Sequence, residues 1–259
     1  MTIPFYASGS SGVTPPPART LLDHLVHALL PAPCLECGQP LPARGTALGL
    51  CAVCRGRLKR LPEAACGICA RPLPLHAPPP GFLCALCRES PPGFDRLLAL
   101  WSYEPPLDKV VQALKFRRLD YLGSHLAQAL ADELGSDLAG FDGIVPVPLH
   151  WRRRLARGYN QAERIARPLA RTLGLPLLPA LIRRRATPPQ SRLGRKDRLA
   201  NLRRAFRARH PERLRARHLL LVDDVATTGA TLDAAATVLK KAGAATITAL
   251  VAGRTPLHL

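Results

Sequence analysis

Residues 219–231 read Leu-Leu-Leu-Val-Asp-Asp-Val-Ala-Thr-Thr-Gly-Ala-Thr, and this stretch constrains the fold more than any other. Four aliphatic residues run into two adjacent carboxylates, Asp223 and Asp224, and then into a turn of small and hydroxyl-bearing residues. An unbroken apolar run of that length reads as a strand buried on both faces, as in parallel sheets. The pattern that follows predicts a helix over residues 231–242. Chain leaving the carboxyl end of such a strand and entering a helix lies where open α/β sheets hold ligands.

The residue types then select the ligand. Gly229 lets the backbone approach closely. Thr227, Thr228 and Thr231 offer hydroxyl donors, and the new helix points unpaired N–H groups and its positive end at the turn. Together these make an anion site suited to one phosphate. Carboxylates only accept hydrogen bonds and repel anions, so Asp223 and Asp224 suit neighbouring hydroxyls, such as the 2- and 3-hydroxyls of a ribose. A sugar phosphate is the expected guest. A Walker B strand of a nucleotide hydrolase also ends in paired acids, but the sequence contains no Gly-x-x-x-x-Gly-Lys-Ser/Thr cradle to go with it.

All eight cysteines fall in four Cys-x-x-Cys pairs, Cys34/Cys37, Cys51/Cys54, Cys66/Cys69 and Cys84/Cys87, separated by 13, 11 and 14 residues. Each pair offers two thiolates from one tight knuckle, half of a tetrahedral zinc shell, so four knuckles suffice for two closed structural sites. Sequential pairing of the knuckles is the simplest assignment, and spacing alone leaves an interleaved one open. Disulfides or redox dithiols are the competing reading, but structural disulfides are rare in the cytosol and redox motifs seldom come four in a row. Apolar residues are sparse between the knuckles, so metal is expected to supply most of this module's folding energy.

The net charge is +19, and its location is informative. From His150 to His218 there are 21 Lys or Arg against three acids, Glu163, Asp197 and Glu212, so nearly the whole excess lies in one quarter of the chain. A localised cationic field implies an anionic partner, either a polyphosphate or a nucleic acid. Trp151 and Tyr159 stand among these arginines, as stacking on single-stranded DNA requires. No apolar run reaches the ~20 residues a bilayer span needs. The first twenty residues lack the charged and apolar regions of a signal peptide and read as a floppy leader, so the expected compartment is the cytoplasm.

Along the rest of the chain, an amphipathic pattern predicts a short helix over 21–30, stopped by prolines. Strands are expected over 97–103, 143–148 and 246–251, and helices over 106–116, 121–134 and from Gln161 to about residue 173. Residues 150–161 read as an intensely basic loop suited to a pyrophosphate, or as a solvated charged loop. Lys115, at a helix end, either suits the helix dipole or closes over the same group. Residues 183–204 are long, polar and mostly without period apart from a short helical stretch near the end; such segments are either mobile lids or disordered, and one carrying Arg and Gln beside a charged site suits a lid.

Residues 219–231 resemble the 5-phosphoribosyl-1-pyrophosphate (PRPP) loop of type I phosphoribosyltransferases. The order of motifs extends the likeness. A double Cys-x-x-Cys ribbon is followed by Leu114-Lys-Phe116, Ile144-Val-Pro-Val-Pro148-Leu-His150, Arg157-Gly-Tyr-Asn-Gln161, Asn201-Leu and Ala205-Phe206 before that loop. The whole is similar to the ComF family (ComFC/GntX-like proteins) from about Pro33 to the C-terminus. With the leader over 1–20 and the short helix already read from the residues, the resemblance implies a double zinc ribbon completing a 21–92 module and a phosphoribosyltransferase-like α/β domain over 93–259, a mostly parallel sheet flanked by helices. It implies that Asp223 and Asp224 hold the ribose hydroxyls, that Val225 belongs to the PRPP-binding stretch, and that Ala226, Thr227, Thr228, Gly229, Ala230 and Thr231 wrap the 5-phosphate, with Mg²⁺ accompanying PRPP. Lys115 and Arg157 are the candidates for the pyrophosphate. It further implies a role in natural competence, handling imported single-stranded DNA through the 150–218 region with protein partners of DNA uptake. The alternative is an active transferase that moves ribose 5-phosphate to an unidentified acceptor.

Overall fold

The computed structural model describes residues 32–42, 47–74, 79, 81–184 and 205–256. The helix expected over 21–30 and most of the 183–204 segment therefore lie outside the described residues. In chain order the elements are α1 (Ala52–Gly56) and α2 (Ala85–Glu89) in the cysteine-rich part, then β1 (Arg96–Ser102), α3 (Leu107–Phe116), α4 (Leu122–Leu134) and β2 (Gly143–Pro146). They continue with α5 (Trp151–Arg157), α6 (Gln161–Leu173), β3 (Leu181–Arg183), β4 (Phe206–Ala208), β5 (His218–Val222), β6 (Val225–Ala226), α7 (Ala230–Lys241) and β7 (Thr246–Arg254).

The apolar runs that need burial on both faces obtain it by pairing side by side. The sheet runs β1-β7-β5-β2 with every pairing parallel, and β6 extends the sheet against the far end of β7. Alternate side chains then serve two cores. Leu98, Leu100, Leu220, Val222, Leu250 and Ala252 face α3, α4 and α6. Leu97, Leu219, Leu221, Ile247, Ala249 and Val251 face α7 and the β3–β4 hairpin. The result is a three-layer α/β domain that presents the carboxyl ends of β1, β2, β5 and β7 along one edge. No described helix is long and apolar enough to cross a membrane.

Several elements depart from expectation, and α5, β7 and the β3–β4 pair show why. Residues 151–157, read as loop, form α5: His150 accepts the Arg152 N–H at its start, and Gly158 takes a left-handed φ of 82° at its end. Nothing on α5 is buried, so no apolar period marks it. Strand β7 continues three residues past its expected end, because β6 and the end of β1 give Gly253 and Arg254 partners. The antiparallel β3–β4 hairpin was unforeseen, since it joins segments that lie 22 residues apart in sequence.

The first ribbon also has more apolar support than its composition suggests. Leu41, Leu48 and Leu50 are buried in the same core as Leu122 and Leu126 of α4, and the Leu48 N–H donates to His125 Nδ1 at 3.2 Å. Burial against α4 thus adds to what a metal contributes there.

Helices α4 and α6 pack with almost no space at Gly123. A Cβ there would lie 2.6 Å from the Arg164 carbonyl oxygen and 2.8 Å from its carbon. Pro168, inside α6, has no N–H to give that carbonyl. Helix propensity favours alanine by about 1 kcal/mol, but forcing two backbones apart costs about 1–3 kcal/mol. Gly123→Ala is therefore expected to destabilise the domain by up to about 2 kcal/mol net, read as a lower urea midpoint at unchanged m-value.

Candidate functional site

Strand β5 delivers the acids. Its residues 219–222 are fully buried, and the pairing with β7 persists beyond it. The Asp223 N–H donates to the Leu250 carbonyl at 3.0 Å, and the Asp224 carbonyl accepts the Ala252 N–H at 3.0 Å. The two carboxylates are thus fixed at the sheet edge by backbone rather than carried on a free loop. Strand β6 follows, then Thr227 and Thr228, both exposed, and Gly229 with φ of 81° immediately before α7. Thr228 Oγ1 accepts the Ala230 N–H at 3.3 Å. The left-handed turn at Gly229 is what aims the first turn of α7 back toward the acids, and Thr231 sits in that turn.

Cations meet the acids from several other elements. Lys115, at the end of α3, forms a 2.8 Å ion pair with Asp224, whose side chain is only 8% exposed. Arg157, at the end of α5, lies 4.9 Å over the Phe116 ring and donates to Gln161 Oε1 at 3.1 Å. Burial lowers the Arg157 pKa, and the charges of Asp224 and Asp223 act in the opposite direction. Lys115, Phe116, Arg118, Arg153, Ala156 and Arg157 line one cavity of about 310 Å³, so both sequence candidates for pyrophosphate converge there. A second cavity, of about 240 Å³, flanks the loop at Thr228, Gly229 and Ala230 and reaches toward the second ribbon.

Four further residues meet the site without having been given a role there from the sequence. Tyr103, after β1, is placed by its N–H on the Arg254 carbonyl, and its hydroxyl feels both Lys115 and Asp224. Arg183, on β3, acts electrostatically on Asp223. Gln161, 1% exposed, leaves its Nε2 donor unpaired at the start of α6, beside Arg157. Arg254, 2% exposed, donates to the Ala226 carbonyl at 2.9 Å and to the Thr227 carbonyl. Of these, only Gln161 had a signal, its place beside Asn160 at a helix start.

The cysteines gather sequentially. Cys34, Cys37, Cys51 and Cys54 form one group and Cys66, Cys69, Cys84 and Cys87 the other, with the four sulfurs of each group within 4.8 Å of one another. A tetrahedron with Zn–S bonds of about 2.3 Å has S···S edges of about 3.8 Å, and the Cys37–Cys51 and Cys69–Cys84 sulfurs are 3.8 Å apart. Both groups are therefore compatible with structural zinc. The ribbons repeat one design: the Cys51 and Cys84 N–H groups donate to Cys34 Sγ and Cys66 Sγ, each at 3.3 Å, and Cys51 and Cys84 each precede a short helix.

The basic surface centres on α5. Arg152, Arg153 and Arg154 pair with no carboxylate among the described residues, and Arg152 lies 5.3 Å over the ring of Trp151. Tyr159, expected to stack on a ligand, is instead half-buried, with its hydroxyl donating to the Leu114 carbonyl and Arg164 above its ring. The aromatic rings left exposed nearby are Trp151, Phe116 and Tyr121.

Burial, and then the charge of Asp224, push the Asp223 carboxyl up to about 7, against the opposing pull of Lys115 and Arg183. Because this folded value lies above the unfolded one, the associated stability is complete below about pH 4 and is lost as the pH rises through 7. Unliganded protein is expected to lose on the order of 2 kcal/mol between pH 5 and pH 8 through this group. Asp223→Asn should flatten that loss in urea titrations at the two pH values.

Residues 159–255 match the family model of the phosphoribosyl transferase domain. The DNA utilization protein YhgH of Salmonella typhimurium is 37% identical over 218 residues, covering 78% of this chain and 95% of that protein. Competence protein F of Haemophilus influenzae is 34% identical over 202 residues, covering 75% and 86% respectively. Competence protein ComFC of Bacillus subtilis is 27% identical over 210 residues, covering 76% and 80%. With two four-cysteine groups ahead of a parallel-sheet phosphoribosyltransferase fold, and with relatives this similar over nearly their whole length, the chain belongs to the ComF family.

Proposed function

We propose that this chain binds PRPP, or a closely related ribose phosphate, and acts in the cytoplasm on single-stranded DNA during DNA uptake. The observation that carries the first part is the junction after β5. Asp223 and Asp224 are held rigidly at the sheet edge, with a Gly229 turn and a helix start on one side and a cavity lined by Lys115, Arg118, Arg153 and Arg157 on the other. A ligand with a diol between two anionic groups matches that order of acceptors and donors. Mg²⁺ bound with such a ligand would neutralise pyrophosphate charge, and Asp223 and Asp224 are the carboxylates present to approach it. Zinc in the two four-cysteine groups fixes the ribbons.

The second part draws on the relatives, two of which are named for competence and one for DNA utilization. It also draws on α5, where three arginines without acidic partners among the described residues stand beside exposed Trp151. Phosphate contacts plus ring stacking are the chemistry of single-strand binding.

A second reading is favoured by the cationic cavity beside Lys115. In it, an acceptor nucleophile forms a bond to C1 of the ribose as the C1–O bond to pyrophosphate breaks, and pyrophosphate leaves with the electron pair. The cations would stabilise that departing charge.

Calorimetry with PRPP and Mg²⁺ is expected to show binding to the wild type and a loss of about 100-fold or more in Asp223→Ala/Asp224→Ala, as two ribose-facing acceptors are removed. Undetectable binding to the wild type refutes the reading. Affinity for single-stranded DNA is expected to fall steeply with salt, and Arg152→Ala/Arg154→Ala to reduce the log–log slope by about 1.4. Pyrophosphate release in the presence of candidate bases separates transfer from binding.

A further inference from the structure

The two ribbons share an internal design but not their attachments, and the difference centres on one cation. Arg254 is buried at the end of β7, and among the described residues no carboxylate pairs with it. Its partners are backbone carbonyls on two separate elements. Nε donates to Cys69 at 3.1 Å, on the third knuckle, and Nη1 donates to Ala226 at 2.9 Å and to Thr227.

Neutral carbonyls offset only part of the cost of burying a positive charge, and a nearby negative group lowers the rest. Four thiolates around one Zn²⁺ carry a net charge of −2. The second four-cysteine group lies beside Arg254, since Cys69, Cys87, Thr228, Gly229 and Arg254 border one cavity. A loaded second site therefore supplies the counter-charge that keeps the guanidinium in place.

The guanidinium in turn orients the loop. In a trans peptide the C=O and N–H point opposite ways. Turning the Ala226 and Thr227 carbonyls toward Arg254 aims the Thr227 and Thr228 N–H groups away from it. A second tie acts in parallel: the Gly93 N–H donates to Asp233 Oδ1 at 2.8 Å, joining the chain that leaves the second ribbon to the first turn of α7. A Cβ at Gly93 would lie 2.4 Å from Thr237 Oγ1 and 2.7 Å from its backbone nitrogen, so this contact is backbone-close. The first ribbon is anchored elsewhere, through Leu48 and His125 on α4, and no described hydrogen bond joins it to residues 223–231.

We propose that Arg254 is a positioning residue that couples the second four-cysteine site to the phosphate loop, so that metal held by Cys66, Cys69, Cys84 and Cys87 sets the order of that loop while metal at the first site does not. The proposal rests on the reading of residues 226–231 as a phosphate site, and it is tested by a measurement that does not require ligand. In the full chain with two zinc ions bound, amide hydrogen exchange at residues 227–231 is expected to be about tenfold faster in Arg254→Gln, with β5 unchanged, as hydrogen bonds from a charged donor are lost. Arg254→Lys, which keeps the charge but loses the fork, should fall between. Cys87→Ser at the second site should reproduce the loop effect. Cys37→Ser at the first site should instead accelerate residues 47–50 and leave 227–231 at the wild-type rate.

Unchanged exchange at 227–231 in Arg254→Gln, or equal acceleration by both cysteine variants, overturns the coupling. Should a variant chain not fold, the wild type still decides: linkage is reciprocal, so ribose 5-phosphate must raise the equilibrium zinc affinity of the second site and leave that of the first unchanged, read by competition with a chelator. Raised affinity at both sites, at the first alone, or at neither while ribose 5-phosphate binds, overturns the proposal. If loop exchange follows Arg254 and Cys87 but ribose 5-phosphate does not bind the wild type, the phosphate reading falls and the coupling stands.

Discussion

The structure depends on β5 being sealed between β2 and β7. Its residues 219–222 have no solvent on either face, and both backbone edges are hydrogen-bonded. A one-residue slip would exchange its two apolar faces and put a carboxylate into a core, so its register is fixed by burial. Everything chemical about the protein follows from where that sealed strand must end. The paired acids cannot enter the core and are held at its edge by bonds to Leu250 and Ala252. Desolvation there is severe enough that Asp224 takes Lys115 as counter-ion, while the Asp223 carboxyl is pushed up to about 7. Stability and function pull against each other at this point, as is usual where charged groups are held ready for a ligand.

The two ribbons show how one local design acquires two roles through its surroundings. Knuckle geometry is nearly the same in both, down to the left-handed residue after the pair, Gly38 in one and Ala70 in the other. The first ribbon contributes Cys34, Cys54 and three leucines to the core against α4, which makes it an extension of the hydrophobic interior. The second has its own small apolar cluster, touches the domain core through Ile68, Cys69 and Ala70, and is further tied to it through Leu97, Gly93 and Arg254. Polar and backbone ties of that kind transmit position rather than bulk stability, because each is directional.

Legibility in the sequence followed the source of each signal. Strands β1, β2 and β5 and helices α3, α4, α6 and α7 were readable because burial imposes a period or an unbroken apolar run. The cysteine groups were readable because every ligand type and spacing is local. Helix α5 was not, since its seven residues bury nothing and its only marks are a capping His150 and Gly158. Strands β3 and β4, three residues each, owe their existence to one another across a long separation, which no window on the sequence contains. Lys115 and Arg157 could be guessed from charge near the expected site. Arg254 could not: it looks like a surface arginine at the end of the last strand, and only the arrival of Cys69 and Ala226 in space makes it buried.

Charge is distributed differently over two neighbouring surfaces. A nucleic-acid strand presents a phosphate at every nucleotide, and each phosphate near Asp223 or Asp224 would be repelled at close range in a poorly solvated setting. The acids therefore disfavour a continuous polyanion at the sheet edge. The unpaired arginines of α5 have no such acids among them, and Trp151 beside them is 60% exposed. Helix α5 nonetheless ends at Arg157, which stands over Phe116 within the field of both acids. One short helix thus borders both surfaces.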